Sequence, residues 1–282
     1  MLLCNHLTIG YGAKVIQRDL SFSLESGEMV CMLGRNGCGK STLLRTLAGL
    51  QPPLGGTFQL GNSNHQSREV ALVLSSDEAI ESTTVHDVVA MGRYPYTSLL
   101  GRLTPYDEQV IEEALAAVGL EEQGTKNKTC PDFSGEPRAK TFLESPFMAH
   151  SDGEKQRILI AKALAQQTPI ILLDEPTAHL DLPNRIRVLQ LLRSLAHNEG
   201  KTILISTHEL DLAVRLSDRI LLMTPNTQHS TLNSQLSTLN SQHSTLNSQH
   251  STQTIQLATP QELIAADAFT QAFGLNPFEL FR

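Results

Sequence analysis

Gly34-Arg35-Asn36-Gly37-Cys38-Gly39-Lys40-Ser41-Thr42 satisfies the phosphate-loop pattern G-x-x-x-x-G-K-[ST] at every fixed position. Its flanks agree. Met29-Val30-Cys31-Met32-Leu33 is a short, wholly apolar run, as expected of a strand buried on both faces. Beyond Lys40, Leu43, Leu44, Leu47 and Leu50 recur at helical spacing. A strand feeding a glycine-rich loop that opens a helix is an anion site. Free backbone N–H groups and the positive end of the helix dipole converge there on phosphate oxygens. Gly34, Gly37 and Gly39 let the backbone curl and come close where a Cβ would clash. Lys40 then reaches β- and γ-phosphates, and the Ser41 hydroxyl ligates Mg²⁺. Asn36, Cys38 and Thr42 complete the nucleotide-binding loop. A plain glycine turn is the competing reading, and the strand–loop–helix order weighs against it.

The chain has 282 residues, 40% of them hydrophobic, enough for one large core near the size at which cores split. No apolar run is long enough to span a bilayer, and the amino terminus lacks the charged and apolar regions of a signal peptide. Cys4, Cys31, Cys38 and Cys130 show no metal-ligand spacing, which suits free thiols in a reducing cytosol. A net charge of −7 argues against a large nucleic-acid-binding surface.

Leu2 to Ile9 alternates roughly as an edge strand, and Leu20, Phe22 and Leu24 alternate again after Gly10-Tyr11-Gly12. Tyr11 is read as a turn tyrosine or as a ring stacked on a nucleobase. Further strands are expected at Gly55–Leu60, Val70–Leu74, Pro169–Glu175 (ending in two carboxylates), Thr202–Ser206 and Arg219–Met223, and again from Ile255 to Leu257. From Thr84 to Leu120 the pattern is helical, with a start at Thr104-Pro105 and Asp107. Residues 123–149, broken by Gly124, Pro131, Gly135, Pro137 and Pro146, read as a loop insertion. Ser151-Asp152-Gly153-Glu154 has the form of a capping box before a helix, and Thr259-Pro260-Gln261-Glu262 opens another. Strands alternating with helices predict a mostly parallel sheet covered by helices, with ligands at the carboxyl ends of its strands. The phosphate loop, Asp174-Glu175 and His208 all fall there. Within about 227–254, His-Ser-Thr-Leu-Asn-Ser-Gln recurs with one apolar position per seven residues, too few for a coiled coil, so a disordered insertion is expected.

Taken together, these residues resemble the ATP-binding subunit of an ABC transporter over nearly the whole chain outside the two insertions. The resemblance implies a P-loop NTPase of α/β class, with a mostly parallel core sheet, an antiparallel β subdomain and a helical subdomain at about 84–165. It implies ATP and Mg²⁺ as cofactors. Asp174 is similar to the Mg²⁺-holding aspartate of Walker B, and Glu175 to the general base that polarises water. His208 resembles the switch histidine at the γ-phosphate, Ala178-His179-Leu180-Asp181 the D-loop, and Tyr11 the adenine-stacking aromatic. Ser151 to Arg157 resembles the signature motif, whose Ser151 and Gly153 would cap nucleotide on an opposite subunit. That implies a homodimer of ATPase subunits, docked on membrane permease subunits at the cytoplasmic face of the inner membrane and served indirectly by an external substrate-binding protein. Nucleic acid is not expected as a partner. Thr84-Val85-His86-Asp87-Val88-Val89-Ala90-Met91-Gly92-Arg93-Tyr94-Pro95-Tyr96, with Asp107 and Ala114-Leu115, resembles importers of iron-siderophore, haem and cobalamin.

Two departures stand out. Ser75-Ser76-Asp77 occupy the place of the family's usual glutamine, and Asp152 that of a glycine. A carboxylate roughly 6 Å from a γ-phosphate charge, at an effective dielectric near 20, would cost about 3 kcal/mol if it pointed inward. A catalytically weakened subunit is therefore one alternative. An ABC ATPase acting on DNA or the ribosome is another, but the coiled-coil insertions or second nucleotide domain of such relatives are missing.

Overall fold

The computed structural model describes residues 1–61, 66–74, 83–98, 101–120, 142–178, 180–224 and 255–273. Ser75-Ser76-Asp77, residues 123–141 of the expected insertion, His179 and the tandem repeat lie outside them.

Strands β1 (Leu2–Tyr11), β2 (Lys14–Leu24) and β4 (Gly55–Leu60) form an antiparallel sheet in the order β2-β1-β4. β1 is thus its middle strand, not an edge. Its alternation looked loose because the register with β2 shifts between Cys4 and Leu7, where His6 takes a positive φ. The second sheet contains β3 (Met29–Gly34), β5 (Val70–Val73), β6 (Ile170–Asp174), β7 (Thr202–Ser206), β8 (Arg219–Met223) and β9 (Ile255–Ala258). Its six strands run in the order β5-β6-β7-β3-β8-β9, parallel throughout except for the antiparallel β8–β9 pair.

Every residue of β3 is buried, because the sheet is covered on both faces. Val30 and Met32 face one core and Met29, Cys31 and Leu33 the other. The first core holds α1 (Lys40–Leu47), whose Leu43, Leu44 and Leu47 lie between the two sheets. The helix ends there, so Leu50 is exposed rather than on its apolar face. Gly49 at φ 74 closes it: Gly49 N–H donates to Thr46 O (3.0 Å) and Leu50 N–H to Arg45 O (2.9 Å), a Schellman end.

The opposite core gathers α3 (Val85–Ala90), α4 (Pro105–Ala117), α5 (Asp152–Ala165), α6 (Leu182–Glu199) and α7 (Leu210–Leu216). One short helix, α2 (Gln66–Glu69), precedes β5; α8 (Pro260–Ala265) and α9 (Ala268–Phe273) follow β9. Capping boxes open α3, α4, α5 and α8 at Thr84, Thr104, Ser151 and Thr259. The helical run from Thr84 is interrupted by a 3₁₀ segment, Met91–Tyr96, which contains Pro95. Residues 142–149 are pinned rather than loose. Phe147 N–H donates to Thr83 O (2.9 Å), Val85 N–H donates to Ser145 O (3.0 Å), and the Phe147 ring is buried.

Candidate nucleotide site

The phosphate loop leaves β3 at Gly34 and enters α1 at Lys40. A Cβ on Gly34 would sit 2.5 Å from Cys38 Sγ and 2.7 Å from Met223 O, so no other residue fits without movement. Gly37 (φ 80) and Gly39 (φ 107) turn the chain through the left-handed region. Lys40 is buried and its ammonium donates to Gly34 O at 2.7 Å, which holds the loop closed around it. Gln17, wholly buried in β2, donates through Nε2 to Cys38 O and Thr224 O, both at 2.8 Å, fastening the loop to the small sheet and to the end of β8. Burial pushes the Cys38 thiol above its ordinary range, against the pull of the Lys40 charge.

Beyond β3 in strand order come β7 and then β6, whose carboxyl ends supply the facing wall. Asp174 ends β6 in a buried position, and the Ser206 hydroxyl donates to its Oδ1 at 2.6 Å. The same hydroxyl accepts from Glu175 N–H at 3.0 Å, so Ser206 ties the two carboxylate residues together. Glu175 has φ 51, a left-handed conformation unusual for a non-glycine residue. Its carboxylate contacts His208 Nε2.

One cavity of about 600 Å³ joins these walls. Asn36, Gly37, Gly39, Lys40, Ser41 and Thr42 line it from the loop, with Glu175 and His208 opposite. Gly34, Cys38 and Asp174 lie behind that surface. Tyr11 does not line it either, although Thr42 Oγ1 lies 3.3 Å from the half-exposed tyrosine's hydroxyl, in hydrogen-bond reach. Ser151 and Gly153 stand apart from the cavity, at the start of α5. The Ser151 hydroxyl donates to Glu154 Oε2 at 2.8 Å, and these serine contacts hold the Glu154 carboxyl below its usual range. Asp152 is exposed (74%), with its Oδ1 3.6 Å from Lys155 Nζ.

Sequence reasoning missed four residues of this site. Lys14 and Ile16 line the cavity from β2. Gln17 and Ser206 brace it. A glutamine at a core-facing place in β2, and a serine ending the apolar run Thr202–Ser206, were the only signals, and neither has a local partner.

The Gly-Arg-Tyr-Pro-Tyr segment lies away from this cavity. Arg93 is buried and donates through Nε to Asp107 Oδ1 (2.8 Å) and through Nη1 to Ala165 O and Gln167 Oε1 (both 2.9 Å). Its guanidinium carbon lies 4.2 Å from the Tyr96 ring centroid. Asp107 is held below the usual carboxylate range, first by Thr104 and then by Arg93.

Residues 17–178 match the family described as ABC transporter. The petrobactin import ATP-binding protein FpuD of Bacillus anthracis is 40% identical over 76% of this chain and 74% of its own length. The iron(3+)-hydroxamate import ATP-binding protein FhuC of Bacillus subtilis is 36% identical over 80% of each. Among solved structures, a metal-chelate-type ABC transporter in an inward-facing conformation superposes with a TM-score of 0.73 at 26% identity, covering 97% of this chain and 89% of that one. With the phosphate loop, the mostly parallel sheet and the facing Glu175–His208 wall in one arrangement, the chain belongs to the ATP-binding subunits of ABC transporters.

Proposed function

We propose that this chain is the ATP-hydrolysing subunit of a membrane importer for an iron-siderophore or a related chelate such as haem or cobalamin. The observation that carries the reading is the cavity in which the loop around Lys40 faces Glu175 and His208. The names of the similar proteins support the cargo class. No helix among the described residues is long and apolar enough to cross a membrane. In this reading the pore belongs to permease subunits on which the chain docks from the cytoplasmic face.

The loop's N–H groups and Lys40 bind the β- and γ-phosphates. An ammonium has three donors, so Lys40 keeps some for phosphate while donating to Gly34 O. Ser41 and Asp174 are hard oxygen ligands and fit Mg²⁺, with Ser206 fixing one Asp174 oxygen and leaving the other. When bound, the ion neutralises charge on the β- and γ-oxygens. Glu175 orients and deprotonates the attacking water, and His208 holds the Glu175 carboxylate from the loop after β7. Tyr11 stacks on adenine from the rim. Ser151 and Gly153, remote from their own chain's cavity, cap the γ-phosphate of a second copy, so the working unit is a homodimer with two nucleotides between its subunits. A substrate-binding protein delivers cargo to the permease. Residues at about 84–165 form the helical subdomain, and the repeat at about 227–254 takes no part in catalysis.

The test is uptake of radiolabelled iron-siderophore, haem and cobalamin in cells that lack this gene, complemented with the wild type or with Lys40→Ala. Uptake restored by the wild type alone is the expected result. Unchanged uptake of iron-siderophore, haem and cobalamin in the deletion strain would refute the importer reading.

A further inference from the structure

Two segments that carry the site meet at one side chain. Arg185, in the first turn of α6, donates through Nε to Leu180 O at 2.6 Å and through Nη1 to Glu209 Oε1 at 2.8 Å. Leu180 precedes Asp181, the N-cap of α6. Its side chain is buried, with Cδ2 3.3 Å from the place of a Cβ on Gly153. Glu209 follows His208 directly. It occupies the N-cap of α7 yet makes no capping bond with its side chain; the carboxylate turns to Arg185 instead. The ion pair is about a quarter to a third exposed, between a surface pair and a buried one. Burial raises the Glu209 carboxyl above its ordinary range and Arg185 opposes that, which the short contact reflects.

We propose that Arg185 is a positioning residue for ATP hydrolysis: its two-pronged contact fixes the segment carrying His208 against the segment carrying Leu180. His208 in turn contacts Glu175, so the line from the cavity runs through Glu209 and Arg185 to Leu180, and from Leu180 to Gly153 at the start of α5. A planar guanidinium makes both contacts at once, one to a carbonyl and one to a carboxylate. A lysine ammonium on its single stem does not reproduce that fork. The inference rests on the reading of His208 and Glu175 as site residues.

The experiment measures steady-state ATPase kinetics and nucleotide affinity on the full chain for Arg185→Gln, Glu209→Gln, the double variant and Arg185→Lys. Each single Gln variant should lose kcat on the order of tenfold, and the double variant no more than Arg185→Gln alone, since Glu209 acts only through the contact that Arg185→Gln already removes. KM and ATP affinity should stay within about twofold, because neither residue lines the cavity. Arg185→Lys should fall between, keeping the ion pair and losing the carbonyl contact. Hydrogen exchange gives a readout independent of activity: Arg185→Gln should speed exchange in both peptides, the one carrying Leu180 and the one carrying Glu209. Wild-type kcat in the single variants, multiplying losses in the double variant, or faster exchange in only one peptide would each overturn the proposal. If Lys40→Ala and Glu175→Gln are dead while the Arg185 variants are normal, the positioning role falls and the ATPase reading stands. If Lys40→Ala hydrolyses normally, the site reading falls, and hydrogen exchange alone decides on Arg185.

Discussion

Glu175 is expected to trade stability for activity, and three substitutions separate the terms. Its backbone sits at φ 51, where a side chain with a Cβ costs about 1–2 kcal/mol relative to the right-handed region. Two contacts from Ser206, at 3.0 Å from Oγ and 3.2 Å from the carbonyl oxygen, hold the Glu175 N–H in that conformation. Glu175→Gln keeps the size and the strain but removes the charge, so hydrolysis should fall roughly a hundred- to ten-thousand-fold while ATP still binds. Glu175→Asn also removes the base, but asparagine tolerates the left-handed region, so part of the strain disappears. Both variants lose the carboxylate's contact with His208, which is 42% exposed, so the contact is worth at most about 1 kcal/mol. That loss cancels in the comparison. The Asn variant should therefore be about 1 kcal/mol more stable than the Gln variant, which is roughly 2–4 °C in Tm for a chain of this size. Glu175→Gly relieves the strain completely, but its freer unfolded chain reduces the gain. The assays are differential scanning calorimetry and phosphate release in Mg²⁺-ATP. Equal Tm values for the Asn and Gln variants would refute the strain argument. A wild-type rate in the Gln variant would refute the catalytic role.

Lys40→Ala should weaken ATP binding by about a hundredfold in a folded protein, measured by nucleotide fluorescence, since it removes a charge-assisted contact to phosphate. Asp152→Gly should leave ATP-driven dimerisation within about twofold of wild type by sedimentation, because an exposed carboxylate beside Lys155 is screened; a markedly tighter dimer would mean that the carboxylate turns toward the γ-phosphate. Arg93→Met should cost about 3 kcal/mol, near the low end for breaking a buried pair because Thr104 still bonds Asp107. Urea unfolding reads that loss, and Arg93→Lys should recover only part of it.

The features legible in the sequence are those with local causes. The phosphate loop is a contiguous pattern, and the capping boxes at Thr104, Ser151 and Thr259 repeat one offset of three residues. Buried strands such as Ile170–Asp174 show themselves as apolar runs because both faces are covered. What escaped depends on distant partners. β1 lies mid-sheet only because β4 returns to pair with it. Gln17 is a core residue only because Cys38 O and Thr224 O wait for its amide. Ser206 matters through Asp174 on the neighbouring strand. Glu175 was legible as chemistry, but its left-handed backbone was not, since nothing in an Asp-Glu-Pro sequence demands it.

The Gly-Arg-Tyr-Pro-Tyr segment shows how one motif divides its labour. A Cβ on Gly92 would stand 2.2 Å from Lys162 O, so the glycine is there for close approach to α5. Arg93 then threads between helices, bonding Asp107 at the start of α4 and Ala165 O at the end of α5. Tyr96 covers its guanidinium and donates to Gln166 O at 2.9 Å. These three residues are consumed in fixing α4 and α5 to one another. Tyr94, in the same turn, is 57% exposed. A buried arginine that satisfies two helices and a turn is a costly way to pack, since an apolar side chain of similar volume would often hold them as well. What the arginine adds is directional: its planar fork admits one arrangement of the carbonyl and the carboxylate. The start of α5 carries Ser151 and Gly153, which in the proposed dimer act at the partner's nucleotide, so on that reading the angle of α5 matters more than the strength with which it is held.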